Sequence, residues 1–318
     1  MCEAKRKILV TIPVTDAQRE ELAAAGGEDC ILTFLPADFL TEEILAEQEA
    51  VIGNIPADRL GLCRDLRWVQ LNSAGADPYG DPGVLPETCI LTTAVGAYGL
   101  AVSEHMLAQT FALIRRFGQY ARNQHEHVWR TEGQIISVEG SVVLILGLGD
   151  IGGSYARKMK ALGAYTIGLR RSKAERQDYL DEQYTMEALD QVLPRADIVA
   201  MVLPGGPETF RLIDAARISR MKDGAYLLNA GRGTSVDQEA LLQALTAGKL
   251  GGAALDVTDP EPLPADHPFW DLDNLLLTPH AAGKFFLPET LNRIIHIAAG
   301  NLRAYLAGGE MRNVTEHR

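Results

Sequence analysis

The chain has little of what would place it outside ordinary globular proteins. Among 318 residues there are four cysteines, Cys2, Cys30, Cys63 and Cys89, far apart and without a C-x-x-C pair. That spacing speaks against a disulfide framework and against a zinc site. No apolar run approaches the about 18 residues that a membrane helix needs; the best, residues 142–148, is strand-length. Positive charge is in deficit, with 30 Lys and Arg against 42 Asp and Glu, a net charge of −12. Nucleic acid and anionic membranes, which attract basic faces, are therefore not expected as partners. An anionic small molecule stays open, provided a few arginines or helix N-termini are aimed at it. The 30 glycines and 15 prolines follow no period, which excludes a low-complexity chain. The N-terminal MCEAKRKILVT lacks a signal-peptide core. Together with thiols read as reduced, that gives the cytoplasm as the expected location.

What is present is 47% hydrophobic and 23% charged residues, a globular balance. The length suggests two domains, with a one-domain barrel as the rival. Short apolar runs at 8–10, 31–35, 51–52, 68–71 and 90–92 read as strands. Between them lie a helix capped by Asp16 and stopped at Gly26-Gly27, and another opened by Thr41. A second series has strands at 142–146, 165–169, 198–202, 225–228, 253–255 and 275–277. Its helices include 152–162 and 238–247, and a last helix begins after Pro288. Alternation of this kind predicts parallel sheets covered by helices. A helix over 103–117 carries a wide apolar arc of Met106, Leu107, Thr110, Phe111, Leu113, Ile114 and Phe117. It is either wedged between two domains or faces a second subunit, and periodicity does not choose.

Residues 141–153 read SVVLILGLGDIGG, in which Gly147, Gly149 and Gly152 form G-x-G-x-x-G between an apolar strand and a helix. That context is what dinucleotide binding requires. Gly147 permits the turn, Gly149 admits a pyrophosphate and Gly152 lets helix and strand pack. The N–H groups at the helix start, from Asp150 and Ile151 onward, then face the phosphates with the positive end of the dipole. About 20 residues on, a carboxylate holds the ribose 2′-OH of NAD, whereas an Arg accommodates the 2′-phosphate of NADP. Here the run is Leu169-Arg170-Arg171-Ser172-Lys173, with no Asp or Glu before Glu175. NADP is the expected cofactor and NAD remains possible.

Three later stretches, LNAGRGT (228–234), ALDVTDPEPLP (254–264) and LLTPHAAG (276–283), join this turn in order. Together they resemble the D-isomer-specific 2-hydroxyacid dehydrogenases, in particular the glyoxylate/hydroxypyruvate reductase-like members. The likeness extends to NSAGAD (72–77), similar to the family's substrate loop, and to AVSEH (101–105), similar to the start of its dimer helix. The resemblance implies Arg232, Glu261 and His280 as catalytic residues. It implies cofactor contacts at Leu203, Pro204, Thr209, Ala230, Gly231, Arg232, His280 and Gly283, and at Asp256 for the nicotinamide carboxamide. It implies substrate contacts at Ala74, Gly75, Arg232 and His280. It also implies a homodimer, with Trp129 near the place of a pocket tryptophan.

The residue types suit the chemistry. A planar guanidinium can bind the carboxylate and carbonyl of a 2-keto acid. A histidine titrating near neutrality can protonate the carbonyl oxygen, and Glu261 would favour its protonated form while fixing the ring. Singly, each residue has an ordinary reading as a polar loop or turn residue; in order, behind a nucleotide turn, they are specific. His125 and His127 diverge on a helix and lack a carboxylate or thiol cluster, so no metal is expected.

Two departures stand out. Gly205-Gly206 replaces a larger pair before Pro207-Glu208-Thr209, loosening that loop, and Lys284-Phe285-Phe286 is bulkier than usual after the histidine. No regulatory extension follows the last helix, which disfavours a feedback-regulated phosphoglycerate dehydrogenase. The expected fold is α/β: two doubly wound parallel-sheet domains, a Rossmann-type nucleotide domain (101–283) inserted into a flavodoxin-like substrate domain (1–100 and 284–318), with the active site in the cleft. The expected function is an NADPH-favouring 2-keto acid reductase acting on a small 2-keto acid or D-2-hydroxy acid. A phosphoglycerate-type dehydrogenase or a non-catalytic dinucleotide-sensing protein is the alternative.

Overall fold

The computed structural model describes residues 5–316; Cys2 and the start of the N-terminal stretch lie outside them. The first series comprises β1 (Arg6–Val10), α1 (Asp16–Gly26), β2 (Cys30–Phe34), α2 (Glu42–Ala46), β3 (Ala50–Ile52), β4 (Trp68–Gln70) and β5 (Ile90–Thr92). Two helices follow, α3 (Gly99–Ile114) and α4 (Phe117–His125). The second series runs β6 (Val142–Leu146), α5 (Asp150–Ala161), β7 (Tyr165–Arg170), β8 (Glu182–Thr185), α6 (Leu189–Val192) and β9 (Ile198–Met201). It continues through α7 (Ala215–Arg220), β10 (Ala225–Asn229), α8 (Gln238–Thr246), β11 (Leu250–Leu255) and β12 (Leu275–Leu277). Then come α9 (Pro288–Ala307) and β13 (Val314–Thr315). Among the described residues no helix is long and apolar enough to cross a membrane.

The chain divides into two units, Met1–Tyr98 with Phe285–Arg318, and Gly99–Lys284. The nucleotide-type unit is thus inserted into the other. The outer unit has a six-stranded sheet in the order β13-β5-β4-β3-β1-β2, parallel except for β13 against β5. Its central strands are covered on both faces: Leu9, Val51, Val69 and Leu91 lie in one core cluster, and the alternate residues Ile8, Ala50, Ile52 and Trp68 are buried on the other face. A buried polar chain pins α9 to this sheet. Trp68 Nε1 donates to Thr92 Oγ1 at 2.9 Å, and Thr92 Oγ1 and Asn301 Nδ2 both donate to Gln70 Oε1 at 2.9 and 2.7 Å. Cys30, Cys63 and Cys89 are buried, and burial pushes the thiols of the last two up to about 11 and about 12.

The inserted unit has a seven-stranded parallel sheet, β12-β11-β10-β9-β6-β7-β8. From β6 the chain builds outward through β7 and β8, then returns to place β9 on the other side of β6. Open α/β sheets bind ligands at the carboxyl ends of the strands flanking such a reversal.

Two local expectations are corrected. Asp16 is the first residue of α1 and not its cap. Thr15 caps it, accepting from Gln18 N while Gln18 Oε1 accepts from Thr15 N, a reciprocal pair at 3.4 and 2.9 Å. The helix expected over 103–117 starts at Gly99 and ends at Ile114. Arg116 takes a left-handed conformation (φ 59°) and breaks the rod. The apolar arc ran on in sequence because Phe117 opens α4 instead. Met106, Thr110, Leu113 and Ile114 are buried, and α3 packs on α5, β10 and β11 of its own unit. The exposed apolar side chains lie further on, at Phe117, Tyr120, Val128, Ile135 and the fully exposed Trp129.

Candidate active site

Nearly all the residues singled out in the inserted unit follow the carboxyl ends of its parallel strands, Thr209 lying further along the loop after β9. Gly147, Gly149 and Gly152 follow β6, Arg170 closes β7 with Arg171 and Ser172 beyond it, and Leu203 and Pro204 follow β9. Ala230, Gly231 and Arg232 follow β10, Asp256 follows β11, and His280 and Gly283 follow β12. The phosphate turn is tight. A Cβ on Gly152 would meet Gly147 O at 1.9 Å and Val202 Cγ2 at 2.9 Å, so only glycine lets α5 start this close to the sheet. Gly147 N donates to Leu169 O at 3.0 Å, binding the turn to the end of β7.

These residues fit a nicotinamide dinucleotide. No side chain caps the N-terminus of α5, and the Cβ position of Gly149 has no atom within 4 Å, which leaves a cradle for a phosphate. The carboxylate of Asp150 is committed elsewhere: its Oδ2 accepts from Gly99 N at 2.6 Å, at the first residue of α3. Only its backbone N–H is left to face a phosphate. Arg170 Nε is buried with no hydrogen-bond partner, while Arg171 and Ser172 are exposed. A buried donor without a partner costs free energy that an anionic group would relieve. Thr209 Oγ1 donates to Pro204 O at 2.8 Å and Thr209 N to Gly206 O at 3.1 Å, so the Gly-Gly loop is closed into a turn.

Asn229 shapes the β10 turn. Its Oδ1 accepts from Gly231 N at 3.0 Å and its Nδ2 donates to Arg232 O at 2.9 Å. Sequence reading left Asn229 without a role, although it heads the N-x-x-R-G pattern. Arg232 Nη1 donates to Gly231 O at 2.9 Å.

Asp256 is 3% exposed and organises the β12 loop. Its Oδ1 accepts from Thr278 Oγ1 at 2.6 Å and Ala281 N at 2.9 Å, and its carbonyl accepts from His280 N at 2.7 Å. Its Oδ2 takes one longer bond, 3.2 Å from Ala282 N. His280 adopts a left-handed backbone (φ 50°), a conformation uncommon for its type and typical of functional sites. Its Nδ1 lies 2.9 Å from Glu261 Oε2, and Glu261 Oε1 accepts from Thr258 N at 3.1 Å. The carboxylate is held at both oxygens, so it fixes the ring and leaves Nε2 outward.

In the outer unit the loop after β4 carries Ala74 and Gly75. Asn54 N donates to Asn72 Oδ1 at 2.6 Å, and Asn72 N returns the bond to Asn54 Oδ1 at 2.9 Å. Asn54 Nδ2 reaches Ser73 Oγ at 3.2 Å, and Ser73 Oγ donates to Gly75 O at 2.7 Å. Tyr98 OH donates to Asn72 O, and burial pushes its phenol up to about 12. Sequence reading missed Asn54, which nothing local connects to a loop eighteen residues away.

Residues 107–282 match the D-isomer specific 2-hydroxyacid dehydrogenase, NAD binding domain. A glycerate dehydrogenase of Methylorubrum extorquens is 30% identical over 297 residues, covering 89% of this chain and 90% of its own. The crystal structure of a D-isomer specific 2-hydroxyacid dehydrogenase family protein from Aeromonas salmonicida superposes with a TM-score of 0.86 at 30% identity. It covers 98% of this chain and 99% of its own. An NADPH-dependent glyoxylate/hydroxypyruvate reductase from Sinorhizobium meliloti, solved with NADP and sulfate, gives 0.82 at 26% identity, with 98% of each chain covered. The chain is an NAD(P)-dependent enzyme of the D-isomer specific 2-hydroxyacid dehydrogenase family.

Proposed function

We propose that the protein is a 2-keto acid reductase of the glyoxylate/hydroxypyruvate type that prefers NADPH. The observation that carries this is the Glu261–His280 pair on a loop held by Asp256, at the strand ends that also bear the glycine turn. A bound reduced nicotinamide dinucleotide supplies the hydride. His280 protonates the carbonyl oxygen through Nε2. When it gives up that proton, Nδ1–H stays bonded to Glu261, so the neutral tautomer that results is the one the carboxylate already holds. Arg232 binds the substrate carboxylate and carbonyl; in the outer unit, the family resemblance gives Ala74 and Gly75 as substrate-binding residues. Asp256 would hold the carboxamide, and the backbone at Leu203, Pro204, Ala230, Gly231 and Gly283 would line the dinucleotide.

The NADPH preference rests on Arg170 with its unpartnered Nε, on Arg171 and Ser172, and on the lack of a carboxylate before Glu175. The Sinorhizobium reductase solved with NADP is in keeping with it. Steady-state kcat/KM for glyoxylate, hydroxypyruvate and pyruvate with NADPH and with NADH tests both parts. Turnover confined to NADH overturns the cofactor assignment, and no turnover of any 2-keto acid overturns the reaction.

The working form is a homodimer, supported by the apolar surface at Phe117, Tyr120, Val128 and Trp129. Light scattering that shows a monomer at micromolar concentration overturns this assembly.

A further inference from the structure

Helix α3 carries two polar side chains that the reaction above does not use. His105 and Gln109 stand one turn apart on one face. Both reach the hydroxyl of Thr278, the residue after β12: His105 Nε2 at 3.0 Å and Gln109 Nε2 at 3.3 Å. Thr278 Oγ1 in turn lies 2.6 Å from Asp256 Oδ1.

Proton counting fixes the direction of this chain. A carboxylate only accepts, so the single hydroxyl proton of Thr278 goes to Asp256. The two lone pairs of the hydroxyl then take donors. His105 therefore carries a hydrogen on Nε2, and Gln109 presents its amide nitrogen. Gln109 Oε1 is left buried without a partner. Turning that amide over would set an oxygen against a hydroxyl with no proton to give, so the orphan acceptor follows from the arrangement.

The chain ends on the carboxylate that shapes the catalytic loop. Asp256 holds Ala281 N through Oδ1, and Ala282 N lies 3.3 and 3.2 Å from its two oxygens. With Oδ1 committed, Oδ2 is the oxygen with acceptor capacity to spare. We propose that His105, assisted by Gln109, is a positioning residue that acts through Thr278 to set the rotation of the Asp256 carboxylate, and with it the placement of the dinucleotide's nicotinamide end and of His280. This rests on the dinucleotide site described under the proposed function.

The test combines NADPH binding, followed by fluorescence titration, with steady-state kinetics on folded variants checked by circular dichroism. His105→Leu and Thr278→Val should each weaken NADPH binding and lower kcat by about 10–100-fold, the usual effect of small misplacement. KM for the keto acid should stay within about twofold. Thr278→Ser keeps the hydroxyl and should restore both quantities to within about threefold of the original. The double variant should be no worse than Thr278→Val alone, because the two residues share one chain. Unchanged NADPH affinity and kcat in folded His105→Leu overturn the inference while leaving the dinucleotide site standing, as do losses that simply add. A loss in Thr278→Ser equal to that in Thr278→Val also overturns it. Should His105→Leu not fold, the Thr278 pair decides. An unsubstituted protein that binds neither NADPH nor NADH overturns both readings.

Discussion

Glu261 and His280 are joined at 2.9 Å through Nδ1, and the other oxygen of that carboxylate is tied to the Thr258 N–H. The ring is therefore oriented before any substrate arrives. His280→Ala should lower the reduction rate by about 10²–10⁴-fold, the range for losing a general acid. Dinucleotide affinity should stay within about threefold. Glu261→Gln keeps the shape but replaces the carboxylate that holds Nδ1 with a neutral amide, so the rate should fall, by less than in His280→Ala, with dinucleotide affinity again unchanged. Rate measurements across pH 5–9 on both variants check this, and near-normal turnover in His280→Ala refutes the assignment.

Arg170 is the second site of prediction. Its Nε is buried and unpartnered, and no carboxylate competes nearby in sequence. Charge-assisted hydrogen bonds are worth about 1.5–3 kcal/mol each. Two, partly screened, would favour NADPH over NADH by about 10²–10³-fold. Arg170→Asp should collapse that ratio, since it removes an attraction and adds a repulsion. Added salt should shrink it as well. Comparing kcat/KM for both cofactors at two ionic strengths is the measurement, and equal values in the unsubstituted protein contradict it.

The Asn54–Asn72 clamp should act on substrate binding alone. Asn54→Ala removes the partner of Asn72 N–H and frees Ser73, leaving the loop with Ala74 and Gly75 less ordered. KM for the keto acid should rise by about 10-fold, in line with the loss of about 1.4 kcal/mol of preorganisation. NADPH affinity should not move. A rise in NADPH Kd of the same size counts against a role for this loop in holding the carboxylate.

Acid sensitivity has a local origin at the sheet edge. Arg195 donates to both oxygens of Glu182, and the hydroxyls of Tyr165 and Tyr184 add to it, holding Glu182 down at about 2 against an ordinary 4.5. A depressed carboxylate stabilises the fold above its unfolded value, and that contribution fades as pH falls from about 4.5 toward 2. After solvent screening it is worth about 1 kcal/mol. Glu182→Gln should be about that much less stable in urea at pH 7, with the gap closing at pH 3. A gap that widens with acid contradicts the sign.

The strands at 90–92, 142–146 and 275–277 were legible to the residue because parallel strands covered on both faces are continuous apolar runs. The Glu182–Thr185 strand was not: EQYT sits at the sheet edge, where burial does not select the residues. The Thr15 cap has a T-x-x-Q signature over residues 15–18, which the reading of Asp16 as the cap passed over. The family motifs located the turn, the arginine and the histidine. They gave no access to Asn54, nor to what His105 touches, because Thr278 lies 173 positions away. Contacts of that kind are set by tertiary packing, which periodicity does not encode.

The hydrogen bond from Gly99 N–H to Asp150 has a metric consequence. It fastens the start of α3 to the phosphate turn, and His105, six residues along the same helix, is fastened to the loop after β12. At 1.5 Å per residue the two anchor points are about 9 Å apart along a single rigid rod. Helix α3 is thus a gauge: it sets how far the glycine turn after β6 stands from the loop after β12. A one-residue insertion between Gly99 and His105 would throw that spacing out by about 1.5 Å and swing His105 by about 100°, putting the gauge out of calibration without touching either anchor.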